Sequence, residues 1–334
     1  MRRWTGGTDV VDPVLSLRDL RVTFNTPNGD VLAVRGIDLD VHPGEAVGIV
    51  GESGSGKTVT FLATMGLLPK RAAITGSARV MGTEVVRASR KALNKVRGQQ
   101  ISMIFQDPLS ALNPVHRVGD QIVEMLDAHQ SLTRRAAERR AVNLLDVVGI
   151  PQPDQRARQY PHEFSGGMRQ RAMIAIAIAN DPKVLIADEP TTALDVTVQA
   201  QILDVLQRIR AEMGTAIVMI THDLGVVARI ADRVAVMYAG RVVEMADVHS
   251  LYAQPTHPYT DGLLQSIPRI GLDRLVPIPG SPPNMLQPPP GCAFAPRCRF
   301  AEPVCRQALP ELIPFRDSQT ACVRIGEIEL GVPV

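Results

Sequence analysis

One glycine-rich string constrains this chain more than any other: residues 51–58 read GESGSGKT. It follows a short apolar run at 46–50 and precedes a run of helical character. A strand, a glycine turn and a helix in that order let backbone N–H groups turn inward around phosphates, with the positive end of the helix dipole behind them. We predict a phosphate-binding loop whose contacts come from Gly51, Ser53, Gly54, Ser55, Gly56, Lys57 and Thr58.

Two carboxylates downstream complete a nucleotide triphosphate site. Lys57 is expected to reach the β- and γ-phosphates, and Thr58 to coordinate Mg²⁺. Asp188 ends the apolar run 184–187, so it lies at the carboxyl end of a buried strand, where ligands bind in open α/β sheets. Asp188 would hold Mg²⁺ directly or through a water. Glu189 would polarise the attacking water, so the pattern predicts hydrolysis.

Composition excludes several classes of protein. A chain of 334 residues suffices for two domains, or for one α/β domain with an appendage. A net charge of +2 and 4% aromatic residues argue against a nucleic-acid-binding surface. The most apolar stretch, 172–179, is far shorter than the roughly 20 residues that cross a bilayer. The first residues lack the apolar region of a secretory signal.

The order of segments predicts an α/β fold. Residues 14–50 alternate like strands around a turn at 27–30, and a helix from Lys57 would end at Pro69. Residues 88–165 indicate a helical insert. Helix and strand then alternate, with strands at 184–188 and 216–220, a helix at 197–213 and a hairpin around Ala239 and Gly240. Seven prolines within 276–290 indicate an extended connector.

Residues 165–171, SGGMRQR, resemble the signature motif of ABC ATPases. The resemblance implies a P-loop NTPase with a RecA-like parallel sheet core, an N-terminal antiparallel β subdomain and a helical subdomain. It also implies that Ser165, Gly166 and Gly167 close over ATP held in the P-loop of a partner subunit. The implied domains are a nucleotide-binding domain at 14–255, with its helical subdomain at about 88–165, and a C-terminal extension at 256–334.

Further residues match the family's motifs. Gln106 resembles the Q-loop glutamine that contacts Mg²⁺ or water, and Asp195 lies in a string like the D-loop at the dimer interface. His222 in ITHD resembles the switch histidine that bonds the γ-phosphate and orients Glu189. Phe24 resembles the aromatic residue that stacks on adenine, although an alternating strand residue could equally belong to the core. A binding-only ATPase is disfavoured because Glu189 and His222 are both present.

Three strings, FSGGMRQR, QDPLSALNP and THPYT, resemble the oligopeptide/dipeptide (or nickel) permease family of importers. That resemblance implies the motor subunit of an importer for peptides or similar solutes, at the cytoplasmic face of the cell membrane. The implied partners are a paralogous ATP-binding subunit (a homodimer being the alternative), two transmembrane permeases and, indirectly, an extracytoplasmic solute-binding protein. The rival hypothesis is a soluble ABC ATPase acting on nucleic acid.

All the cysteines lie near the end of the chain, at Cys292, Cys298, Cys305 and Cys322. Disulfides are not expected in a reducing cytosol. Without a Cys-x2-Cys pair the spacing is neither that of a zinc ribbon nor that of a bacterial ferredoxin. Four thiolates can complete a zinc site or an iron–sulfur cluster. The importer resemblance favours a [4Fe–4S] cluster with a structural role, Zn²⁺ is the alternative, and four unrelated reduced thiols remain the simplest case.

Overall fold

A computed structural model of the chain describes residues 11–267 and 277–331, which form two sheets and the helices around them. The smaller sheet is antiparallel, with strand order β2-β1-β4-β5. Leu15, Leu17 and Leu20 of β1 are fully buried on its inner face, so the sheet packs one apolar side against the rest of the domain. The strands are β1 Leu15–Thr26, β2 Gly29–Val41, β4 Ala72–Val80 and β5 Thr83–Glu84.

The larger sheet has the order β11-β12-β10-β9-β3-β8-β7-β6. From β9 to β6 its neighbouring strands run parallel, and β10, β11 and β12 extend one edge with antiparallel pairing. Every residue of β3, β7 and β8 is buried, as expected for strands covered on both faces. The strands are β3 Ala46–Val50, β6 Ile101–Ile104, β7 Val184–Asp188, β8 Ala216–Thr221, β9 Arg233–Tyr238, β10 Arg241–Asp247, β11 Ile313–Phe315 and β12 Ser318–Thr320.

Helices cover both faces of the larger sheet. One apolar cluster joins the helical segment after β6 to helices behind the sheet, and another joins the smaller sheet to the helix after the glycine loop. The helices are α1 Lys57–Thr64, α2 Arg90–Val96, α3 Pro108–Ala111, α4 Val118–Asp127, α5 Arg134–Val147, α6 Pro153–Arg156, α7 Gly166–Ala177, α8 Val196–Met213, α9 Leu224–Ile230, α10 Val248–Ala253 and α11 Pro258–Gln265. Short 3-10 helices occupy Pro161–Glu163 and Pro303–Arg306.

The predicted fold class is confirmed: an α/β core of parallel strands with an antiparallel sheet at its N-terminal side. The hairpin turns at 27–28 and at Ala239–Gly240 lie where the sequence places them. Three features differ. Helix α1 ends at Thr64 rather than at Pro69, and β4 and β5 add strands to the smaller sheet. The range 88–165 is not wholly helical, because β6 lies inside it and forms the edge of the larger sheet.

The C-terminal part of the chain packs onto the α/β core. Residues 277–290 contain no helix or strand, as the prolines predict. Beyond them, β12 pairs with β10 and so joins the larger sheet. Phe294 packs with α10 and α11 in a third apolar cluster. Residues 1–10, on which the expectation about a secretory signal rests, lie outside the described residues, as does residue 276 of the connector. No helix in the described parts is both long and apolar enough to cross a membrane.

Candidate nucleotide site

The glycine loop links the end of β3 to the start of α1, and two of its glycines are sterically required. Gly51 has φ 150° and Gly56 has φ 97°. A Cβ on Gly51 would lie 2.1 Å from the Met237 carbonyl oxygen, and one on Gly56 would lie 2.5 Å from that of Ala33. Among the residues that the structure describes, no side chain caps the first turn of α1. The loop therefore presents an uncapped helix start, which suits an anion.

The other predicted loop residues divide into exposed and buried positions. Ser53 and Gly54 are exposed, and a Cβ on Gly54 would meet no atom within 4 Å. Ser55 is buried, and its Oγ has no hydrogen-bond partner among the described residues. A buried hydroxyl without a partner is costly, so this oxygen is a place where a ligand or water would be stabilised.

The lysine of the loop is folded back onto the loop itself. Lys57 Nζ donates to the carbonyl oxygens of Gly51, at 2.7 Å, and Glu52, at 3.0 Å. Burial lowers the pKa of Lys57, and the nearby carboxylates of Glu189, Asp188 and Glu52 partly oppose that effect. The ammonium therefore lies in the loop with three carboxylates around it, and a polyphosphate would offer it stronger acceptors than two carbonyls.

Two of the three predicted magnesium residues, from distant parts of the chain, meet at the end of β7. Thr58 Oγ1 donates to Asp188 Oδ1 at 3.0 Å. Asp188 is 4% exposed, and burial raises its pKa despite the hydrogen bond from Thr58. Hydroxyl and carboxylate oxygens are the ligands that Mg²⁺ prefers. A cation here would favour the ionised carboxylate, so the pair suits a divalent metal.

Glu189 is the meeting point of three other side chains. Its Oε2 accepts from Gln106 Nε2 and from Thr192 Oγ1, each at 2.9 Å, and His222 Nδ1 lies 2.9 Å from its Oε1. Burial would raise the pKa of Glu189, but the bonds from His222 and Thr192 outweigh it and lower the pKa. The sequence predicted Gln106 and His222 for this site and missed Thr192, whose only signal is its place three residues after Glu189.

Most of the residues predicted to act across a dimer lie at the surface. Ser165 caps α7 by accepting from the Met168 N–H at 3.3 Å, and both Ser165 and Gly166 are exposed. Asp195 caps α8 in the same way and is also exposed. A Cβ on Gly167 would lie 2.7 Å from Val198 Cγ1, so α7 and α8 approach each other closely at this glycine. No hydrogen bond between described residues joins Ser165, Gly166 or Gly167 to the glycine loop.

Phe24 lies on β1 and is half-buried against the core of the smaller sheet. Its neighbours across the sheet are Val31 on β2 and Ala72 on β4. Its position is therefore compatible with both predicted roles, a core residue and a surface on which a planar base can stack.

The C-terminal extension reaches the glycine loop, which the sequence did not predict. Arg297 forms a two-point ion pair with Glu52, at 2.7 and 2.9 Å. The Glu52 N–H donates to Tyr259 Oη at 2.8 Å. Arg297 stands next to Cys298 in the cysteine-rich string, but no local spacing signals its pairing with a residue 245 positions away.

The four predicted cysteines line one small apolar cavity together with Phe294 and His257. Burial raises the pKa of three of the thiols, that of Cys322 to about 11. Backbone N–H groups of Phe294, Phe300 and Arg324 face the sulfurs of Cys292, Cys298 and Cys322 respectively. Within residues 11–267 and 277–331, however, no group of three or more His, Cys, Asp or Glu side chains is arranged to hold a metal ion. The cysteines converge without forming a ready-made metal site.

Two protein-family descriptions match the chain. Residues 34–192 match "ABC transporter", and residues 243–305 match "Oligopeptide/dipeptide transporter, C-terminal region". Among solved structures, a dimeric bacterial ABC transporter cassette is 26% identical with a TM-score of 0.63, covering 70% of this chain and 98% of that one. A dimeric post-hydrolysis state of an ATP-binding cassette with ADP and Pi is 25% identical with the same TM-score and coverage.

Curated relatives are similar over nearly the whole chain. The oligopeptide transport ATP-binding protein OppD of Escherichia coli is 52% identical over 91% of this chain and 92% of its own length. The dipeptide transport ATP-binding protein DppD of Bacillus subtilis is 49% identical over 93% and 94%. OppD of Mycobacterium tuberculosis is 56% identical over 94% of this chain, which spans only 52% of that relative. These matches favour transport over the nucleic-acid hypothesis. The chain belongs to the ABC transporter family, among the ATP-binding proteins of oligopeptide and dipeptide transport.

Proposed function

We propose that this chain is the ATP-hydrolysing motor subunit of a membrane ABC importer for dipeptides, oligopeptides or similar solutes. The observation that carries the proposal is the convergence on Glu189. Its carboxylate meets Gln106 and His222 within 2.9 Å, beside the Thr58–Asp188 pair at the start of α1. A metal-ligand pair, a base and a phosphate loop in one place are the parts that phosphoryl transfer to water requires.

ATP would bind in the glycine loop, with its phosphates on the backbone of Gly51, Ser53, Gly54, Ser55 and Gly56 and its base beside Phe24. Lys57 would leave its two carbonyl acceptors for the phosphates, since the charge-assisted bonds gained are stronger than those lost. Thr58, Asp188 and Gln106 would hold Mg²⁺, which neutralises charge on the phosphates. The donor set is wholly oxygen, which fits this metal.

Glu189 would act as the base toward the attacking water. Its lowered pKa keeps the carboxylate ionised at neutral pH, which a proton acceptor needs. His222 would hold the carboxylate in place and bond the γ-phosphate. Gln106 would exchange its bond to Glu189 for one to Mg²⁺ or water, and its place next to α3 would link that change to the membrane subunits.

The site would be completed by a second ATP-binding subunit. Ser165 and Gly166 are exposed, no hydrogen bond between described residues joins them to the glycine loop of their own chain, and two of the similar solved structures are dimeric. In this arrangement Ser165, Gly166 and Gly167 would cover ATP on the partner, and Asp195 would lie at the interface. A paralogous partner is preferred to a second copy. Two transmembrane permeases would bind the pair at the cytoplasmic face of the membrane, and a solute-binding protein would deliver the solute.

The extension would carry a structural group on its cysteines. We assign the nucleotide-binding domain to residues 14–255 and the extension to 256–334. The thiols of Cys292, Cys298, Cys305 and Cys322 share one apolar cavity in a segment with little regular structure. Backbone N–H groups directed at sulfurs are typical of iron–sulfur sites. A [4Fe–4S] cluster would tie this segment together, and Zn²⁺ is the alternative that metal analysis would reveal.

The experiment is reconstitution in vesicles with the permeases and the second ATP-binding subunit, with the solute-binding protein and the peptide inside the vesicles. ATP outside the vesicles should drive a labelled peptide across the membrane, and the peptide should stimulate hydrolysis. Lys57→Ala should lose ATP affinity and transport together. ATP binding undiminished in Lys57→Ala, or hydrolysis that responds to nucleic acid and not to the permeases, would overturn the proposal.

A further inference from the structure

We infer that Arg297 of the C-terminal extension is a positioning residue for the ATP site, because it neutralises Glu52 inside the glycine loop. The inference rests on the proposed function and deepens it: the extension would be part of the nucleotide site and would set its affinity. Glu52 directly follows Gly51, so its carboxylate belongs to the loop that must accept a polyanion.

Several hydrogen bonds and deep burial fix the contact between Arg297 and Glu52. Both oxygens of Glu52 bond to the guanidinium of Arg297, at 2.7 and 2.9 Å, and the Arg297 side chain is 6% exposed. The same guanidinium donates to the Pro279 carbonyl oxygen at 2.8 Å and to Tyr238 Oη at 3.2 Å. It also lies 5.9 Å from the ring centre of Phe294. A planar fork with this many partners has one geometry, which a lysine could not reproduce.

Glu52 is held at its backbone as well. Its N–H donates to Tyr259 Oη, and its carbonyl oxygen accepts from Lys57 Nζ. Tyr259 is fully buried, so its hydroxyl is a fixed acceptor. One loop residue is thus bound by α11, by the cysteine-rich segment and by the lysine that ATP needs. The loop and the extension form one hydrogen-bonded unit.

Glu52 brings a negative charge into the loop that would bind the phosphates. Glu52 lies within the glycine loop, and its carbonyl oxygen accepts from Lys57 Nζ at 3.0 Å, so its carboxylate is close to the place where the phosphates would bind. Paired with Arg297, it adds no net negative charge there. Without the guanidinium, the partly buried Glu52 carboxylate would be an uncompensated negative charge in the loop that binds the phosphates, and like charges repel.

Two arginines flank Cys298 and make a matched pair for the test. Arg299 also binds a carboxylate, Asp261 at 2.9 Å, but this ion pair lies within the extension and does not contact the loop. Both replacements by Met remove an ion pair next to the same cysteine. Only Arg297→Met exposes the carboxylate of the loop.

The experiment is ATP affinity of the full-length protein by calorimetry, for the parent, Arg297→Met, Arg299→Met and the double variant Glu52→Gln/Arg297→Met. We expect about tenfold weaker binding for Arg297→Met, because a charge is uncovered near the phosphates. Arg299→Met should bind like the parent. Adding Glu52→Gln should restore the affinity of Arg297→Met to within about threefold, since the repelling charge is gone. Melting temperatures report whether each variant is folded.

Parent-like binding by Arg297→Met, or a double variant as weak as Arg297→Met, would overturn the inference. If Arg297→Met does not fold, the single variant Glu52→Gln decides. This variant keeps the Arg297 guanidinium and loses the Glu52 charge, so it should bind ATP at least as tightly as the parent. Weaker ATP binding by Glu52→Gln would contradict the inference. A parent that binds no ATP would instead refute the proposed function.

Discussion

His222 Nδ1 lies 2.9 Å from Oε1 of Glu189, although the two residues stand on loops after different strands, β8 and β7. The histidine side chain is 63% exposed and that of Glu189 is 15% exposed. The imidazole therefore reaches the carboxylate with one nitrogen while most of its ring stays open to solvent. The imidazole is thus placed where it can orient the carboxylate that we propose as the base.

Glu189→Gln should abolish ATP turnover while leaving ATP binding intact. The amide keeps the size of the side chain and its contacts with Gln106 and Thr192, but it cannot accept a proton. Hydrolysis should fall by about a hundredfold or more, and the variant should accumulate as an ATP-bound dimer. Single-turnover hydrolysis and size-exclusion chromatography with ATP measure both effects. The exposed Glu212→Gln is the control, and normal hydrolysis by Glu189→Gln would remove Glu189 from its proposed role.

His222→Ala should move the acidic limb of the pH–rate profile to higher pH. The hydrogen bond from His222 lowers the pKa of Glu189 against the effect of burial. Without it the pKa of Glu189 rises, and a smaller fraction of the carboxylate is ionised at weakly acidic pH. The rate at neutral pH should also fall by about a hundredfold, because the base loses its orientation. Measuring the residual hydrolysis by His222→Ala between pH 5 and 8 tests this prediction. An acidic limb at the same pH as in the parent would contradict it.

The local parts of the fold could be predicted from the sequence, and the parts made by distant pairing could not. The strands β3, β7 and β8 read as apolar runs because both of their faces are buried. In contrast, β12 spans three residues and exists because β10 offers it an edge. A segment that short carries no periodicity, so only its partner determines that it is a strand.

The same distinction between local and distant features applies to the candidate site. The glycine loop, Asp188, Glu189 and His222 could be found because each lies in a motif that is continuous in sequence. The ion pair of Glu52 with Arg297 could not, because its members are 245 positions apart and either alone is an ordinary charged residue. The resemblance to importers predicted that the four cysteines would come together, and they do share a cavity. What they hold depends on chemistry that spacing does not specify.

Ser165→Arg should separate ATP binding from ATP hydrolysis. Ser165 is exposed at the start of α7, so an arginine there would not disturb its own glycine loop. It would instead block the approach of the partner's nucleotide. We expect unchanged ATP affinity for the isolated subunit and about a hundredfold slower hydrolysis by the dimer, since stabilisation from the second subunit is lost. The exposed Ser131→Arg is the matched control. Full hydrolysis by Ser165→Arg would refute the shared site.

Cys298→Ser should remove bound metal and weaken the extension. Burial raises the pKa of Cys298, so a neutral thiol is favoured there unless a metal compensates the charge of the thiolate. The protein purified without oxygen should contain iron and absorb visible light, and Cys298→Ser should lose both. Zinc in place of iron would select the alternative ligand, and neither metal in the parent would leave four reduced thiols. Because Arg297 adjoins Cys298, loss of the metal should also weaken ATP binding. Chelation of the parent should therefore lower its ATP affinity, and restoring the metal should recover that affinity.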